Sequence, residues 1–234
     1  MEEFLKENYF LLTHSIEFLA AVVGIYYFKK YQNTTAKFLI FFVVYAFFVD
    51  LLGRYPRYLK TLNLFYLIED TKIQFNYWWY VVFWFGGLTT FITFLNYRII
   101  ENVLYKKVLK ILYVLYVTQI FLYSIFNFEA LFDPTERFFK ITSIWMILVS
   151  VFLYLYQILQ SYKIIEFYKS IYFYINISIL LWTIITGPMM FYEIYFSTAD
   201  WNFVILKWQI YLLVNFSFYL TLILAIIFCK QEIK

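Results

Sequence analysis

The chain has 234 residues, 64% of them hydrophobic and only 15% charged, with a mean hydropathy of +0.72. Soluble domains are about half apolar and about a quarter charged, so a soluble globular fold is excluded and an integral membrane protein is indicated. The net charge of +4 is too small to mark a nucleic-acid binder, and 1 Cys with 1 His leaves no disulfide framework, no cysteine metal site and no cofactor ligand set of the zinc or haem kind.

The opening MEEFLKEN is acidic, whereas a cleavable signal peptide wants a basic start and a small-residue cleavage site. The first long apolar run, Tyr9 to Phe28, is closed by Lys29 and Lys30. Inside it His14 and Glu17 stand three apart, so they share one face of a helix. An ionised side chain in hydrocarbon costs about 3 kcal/mol or more, and such residues face a bundle interior or a water-filled cavity. Glu17 is therefore the leading functional candidate, as a gate, a ligand contact or a bundle-specifying charge.

Apolar runs of about 17–25 residues mark membrane-spanning helices. They recur near 38–55, 77–97, 108–127, 141–161, 170–192 and 206–229, which with the first makes seven. The second span carries Asp50 and Arg54 near its end, four apart and able to pair on one face. In an N-out layout His14, Glu17, Asp50 and Arg54 share the outer half, and the sequence predicts one polar cluster from them. The competing reading has Asp50 and Arg54 snorkel separately to the interface.

The connection 56–76 is the longest. Leu59, Leu62, Phe65 and Tyr66 there can form one apolar face of a short interfacial helix, which Pro56 would separate from the second span. The alternative is that the segment only lengthens that span. Asp133-Pro134 marks a turn, and Gly187-Pro188 predicts a kink in the sixth span about one turn below Glu193.

Basic residues orient the bundle. With the N-terminus outside, 11 of the 19 Lys and Arg fall on inner segments and 8 outside, four of the latter being Arg54, Arg57, Lys60 and Lys72 in the second loop. The positive-inside rule thus favours N-out, C-in. Mid-span polar residues Thr89, Thr93, Gln119, Asn176 and Asn215 either line a hydrated path or bond helix to helix, which in membranes contributes about 0.6–2 kcal/mol per contact. The 26% aromatic content, with 30 Phe and 25 Tyr, is explained as well by A/T-rich coding as by a binding surface.

No catalytic residues are indicated. HExxH and GxSxG are both absent, and retinal binding would want a lysine deep in the last span, whereas Lys207 lies at its edge. A small-solute transporter remains open, although only Gly187-Pro188 suggests the broken helix common in carriers.

The run HSIEFLAAVVGIYYFKKY followed by KFLIFFVVYAFFVDLLGRY places an acid inside the first span, a lysine pair at its close and an acid near the end of the second. This pattern, over about residues 14–55, resembles a family of small multi-span bacterial membrane proteins that includes the accessory proteins of type VI-B CRISPR systems, encoded beside an RNA-guided RNA-cutting effector. The resemblance implies a membrane partner that modulates immunity, with a channel or pore role. It carries no catalytic residues with it.

The sequence reading is an all-α integral membrane bundle of seven transmembrane helices, one domain over 1–234, in the bacterial inner membrane with a cytoplasmic C-terminus. Its function is that of a non-enzymatic accessory: a pore, a channel or a modulator of a CRISPR effector, without metal or cofactor. Its partners are the lipid bilayer, other copies of itself and a cytoplasmic protein met through the basic loops, with no direct nucleic-acid contact. The alternative is a small-solute transporter or membrane sensor with a pocket in the outer half.

Overall fold

The computed structural model describes residues 2–133, 137–192 and 201–230, which are helical and contain no strand. The principal helices are α1 (Glu2–Tyr26), α2 (Phe28–Tyr31), α3 (Lys37–Leu52), α4 (Tyr55–Thr61), α5 (Tyr77–Trp79), α6 (Gly87–Ile99), α7 (Val103–Phe126), α8 (Phe138–Leu159), α9 (Ile171–Tyr192) and α10 (Trp201–Phe228). A π-helical stretch, Tyr80–Gly86, joins α5 to α6 in one continuous rod, Tyr77–Ile99. Among the described residues six helices are long and apolar enough to cross a membrane, and a seventh crossing is made if α3 and α4, bent by 43° at their junction, count as one span. Seven were expected and six or seven are found, the second span being the one that depends on the bend. Pro134 and Glu193 lie outside the described residues.

The start of α7 falls five residues ahead of the apolar window. Asn102 caps it, its Oδ1 accepting the Leu104 and Tyr105 amides at 2.9 and 3.2 Å, so Lys106 and Lys107, which lie ahead of that window, are helical too. The loop after α3 differs from expectation more strongly. Helix α4 stops at Thr61, and only the short 3-10 turns Phe65–Leu67 and Lys72–Gln74 follow. Leu59 is thus helical, but Leu62, Phe65 and Tyr66 do not continue its face, because Asn63 takes a left-handed φ of 57° and ends the helix. Pro56 does fall in the first turn of α4, where its missing N–H is harmless.

The chain groups into two compact units, the first comprising 1–47 with 151–234 and the second 48–150. In the first unit α10 packs against both α1 and α9. Among the buried residues of α1 are the small ones Ala20, Ala21 and Gly24, and small residues let membrane helices approach closely. A Cβ on Gly24 would lie 3.1 Å from Val43 Cγ2 and 3.3 Å from Ile40 Cγ2, so α3 rests directly on this backbone.

The carboxyl end of α10 is closed from a distance in sequence. Lys30 Nζ donates to the carbonyls of Ile226 and Ile227 at 3.0 and 2.8 Å. The buried Tyr31 hydroxyl lies 3.0 Å from both the Ile226 and the Cys229 carbonyls. These groups satisfy carbonyls that a helix end leaves orphaned and set a cation at its negative pole. Burial lowers the Lys30 pKa, with Cys229 opposing, and burial also raises that of Tyr31.

In the second unit the end of α3 is held by the aromatic start of the 77–99 rod. Trp79 Nε1 donates to the Val49 carbonyl at 2.8 Å and Asn76 Nδ2 to the Gly53 carbonyl at 2.6 Å. Trp78 Nε1 donates to the Tyr55 hydroxyl at 3.0 Å. Helix α7 buries a single residue, Leu109, and presents apolar side chains such as Val114, Leu115 and Phe121 outward, the surface that a lipid-facing helix needs.

Candidate functional site

Helix α1 carries Thr13, Ile16, Glu17, Ala20 and Ala21 buried along one face. The spacings of three and four put these residues in one stripe, so Glu17 belongs to the packed side of the helix and is only 3% exposed. His14, half-buried one turn earlier, places Nδ1 3.9 Å from Glu17 Oε2. That separation is too long for a hydrogen bond but close enough for strong charge coupling in a poorly solvated setting. Such a pair exists either as carboxylate with imidazolium or as two neutral groups, and a proton passing between them converts one form to the other.

Asp50 and Arg54 sit at the end of the second apolar run and belong to the second unit. Arg54 Nη2 lies 3.8 Å from Asp50 Oδ2, and the Tyr80 hydroxyl donates to Asp50 Oδ1 at 2.8 Å. The carboxylate is thus engaged by a cation on one oxygen and a phenol on the other. Gly53 makes this possible. A Cβ there would stand 2.9 Å from Trp79 Cδ1 and 3.0 Å from the Tyr80 ring and hydroxyl. The His14–Glu17 pair and the Asp50–Arg54 pair are each formed as their spacing predicts, the one in the first unit and the other in the second.

A second polar feature of this unit runs along α6. Thr89, Thr93 and Asn96 are buried on one face, spaced four and then three apart. Asn96 Nδ2 donates to Ser150 Oγ at 3.0 Å, and the Tyr116 hydroxyl lies 2.9 Å from Ser143 Oγ. Tyr113 donates to Thr90 at 3.0 Å. Helices α6, α7 and α8 are thereby tied by hydroxyl and amide groups within their apolar lengths. Gln119 lies on the exposed side of α7.

The remaining mid-span candidates belong to the first unit. Buried Asn176 donates to its own helix at the Tyr172 carbonyl, 2.9 Å away, and Asn215 accepts from Trp182 Nε1 at 2.9 Å, joining α10 to α9. Pro188 lies inside α9, which continues past Gly187-Pro188 to Tyr192.

Sequence reasoning missed Tyr80, Asn96, Ser143 and Ser150. The spacing of Asn96 from Thr89 and Thr93 would have revealed it. Tyr80 could not be singled out among 25 tyrosines, since its partner is set by packing alone. Comparison with protein-family models, with curated proteins and with solved structures finds no match to this chain.

Proposed function

We propose that this is a non-enzymatic, multi-pass accessory protein of a bacterial inner membrane, N-terminus outside, that forms a pore or regulates a partner through a titratable element, His14–Glu17. The observation that carries the reading is Glu17 itself, 3% exposed on the packed face of a long apolar helix, with His14 Nδ1 3.9 Å away. Simple adhesion between membrane helices is served by neutral groups, as Asn96 with Ser150 and Trp182 with Asn215 illustrate. An acid beside an imidazole is costlier to bury and is retained where charge or protons must be handled. The likeness of residues 14–55 to type VI-B CRISPR accessory proteins supports an effector as the partner, met through basic segments such as Lys106, Lys107 and Lys110.

The test is flux. Purified protein in liposomes is expected to pass protons or small cations, and Glu17→Gln, which keeps the shape, should remove most of that flux while thermal unfolding in detergent stays unchanged. Flux no greater than in empty liposomes, or equal flux from the variant, overturns the pore reading. A strictly monomeric sample that copurifies with a small molecule and passes no ions would favour the transporter or sensor instead. An effector gene beside this one would supply the partner.

A further inference from the structure

A groove of about 540 Å³ opens beside the carboxyl end of α10, within the first unit. Its floor is buried Ala225 and Cys229, and Leu224 and Phe228 form an apolar wall along α10. At its mouth stand Lys169, Lys230 and the tyrosines Tyr168 and Tyr174. The Tyr174 hydroxyl donates to the Tyr168 carbonyl at 3.0 Å, which holds the aromatic rim in place.

Charge, shape and depth agree on one occupant. We propose that this groove seats one anionic phospholipid, its phosphate between Lys169 and Lys230 and an acyl chain along Leu224 and Phe228. The volume falls in the ordinary range of small-ligand sites, about 300–1,000 Å³. Tyrosines and lysines at the end of a membrane helix mark the headgroup level, and basic pockets between such helices are the usual seats of anionic headgroups.

Glu166 takes part in the balance. Its Oε1 accepts from Lys169 Nζ at 2.6 Å, and this hydrogen bond, with the charges of Lys169 and Lys230, holds the Glu166 carboxyl below its usual range. Among the described residues, two lysines against one carboxylate leave one positive charge in excess, which matches the single negative charge of a phosphodiester. A zwitterionic lipid brings no net charge to offset it.

The experiment uses the full chain in nanodiscs of phosphatidylcholine with and without phosphatidylglycerol, reading retained lipid by native mass spectrometry and stability by tryptophan fluorescence. Phosphatidylglycerol is expected to be retained preferentially, and Lys169→Gln with Lys230→Gln to weaken that preference at least about fivefold. Leu224→Trp, which fills the apolar wall without changing charge, should weaken it as well. Lys60→Gln on α4, in the second unit, should leave it intact. Equal retention of the two lipids, an undiminished preference in either groove variant, the same loss from Lys60→Gln, or inorganic phosphate binding as tightly as the lipid overturns the proposal.

Discussion

The Tyr80 hydroxyl donates to Asp50 Oδ1 at 2.8 Å, across thirty residues of sequence. This contact gives a carboxylate near the end of a membrane-apolar helix a partner besides Arg54, whose contact at 3.8 Å is the longer of the two. Tyr80→Phe is expected to lower stability by about 1–3 kcal/mol, the cost of leaving a part-buried acceptor short of a donor. Thermal unfolding in detergent measures it. An unchanged midpoint would show that solvent satisfies Asp50.

The two close helix approaches predict an order of tolerance. Gly53→Ala drives a methyl to 2.9 Å from Trp79 Cδ1, and overpacking of this kind costs about 1–3 kcal/mol. Gly24→Ala meets the ends of aliphatic side chains at 3.1 and 3.3 Å, and replacing glycine by alanine inside a helix returns up to about 1 kcal/mol. Gly53→Ala should therefore be clearly destabilising and Gly24→Ala close to neutral. The reverse order in a chemical or thermal unfolding series would refute this packing.

The closure of α10 by Lys30 and Tyr31 makes a local prediction. Tyr31→Phe removes the hydroxyl shared between the Ile226 and Cys229 carbonyls, at a cost of about 1 kcal/mol or somewhat more because the group is buried. Lys30→Met removes two further donors to the same turn. Amide exchange should accelerate in the last turn of α10 and remain slow at Val214 and Phe218. Uniform acceleration along α10 would mean that the two residues support the unit as a whole.

The amide–hydroxyl tie between Asn96 and Ser150 is expected to be modest. Ser150→Ala should cost about 0.6–2 kcal/mol, the range for hydrogen bonds between membrane helices. Asn96→Leu removes the same bond together with the buried amide, so the double variant should cost less than the sum of the two single losses. A double-mutant cycle checks this, and strict additivity would show that the pair is not coupled.

Glu17→Lys puts a cation where α1 is packed, one turn from His14. Poor folding is expected, since an uncompensated buried charge costs about 3–5 kcal/mol. Glu17→Gln should fold normally. Comparable yields of monodisperse protein from both variants would place Glu17 in a hydrated setting.

Much of this fold was legible in the sequence because the bilayer imposes simple rules. Hydrocarbon thickness sets a length of about 20 apolar residues per helix, and unsatisfied backbone groups exclude strand edges and irregular chain in lipid. Those rules placed six of the seven expected spans to within about five residues of long apolar helices among the described residues and left the second in question. Local spacing likewise predicted the His14–Glu17 and Asp50–Arg54 pairs, since three- and four-residue separations are helical neighbours whatever surrounds them. Only the tertiary structure decided which polar groups meet across helices. Lys30 reaches the Ile226 carbonyl 196 residues away, and Tyr80 reaches Asp50, because helix rotation and close approach at glycine bring them together. Hydropathy carries no record of either, being a property of each helix alone, whereas these contacts are a property of the pair.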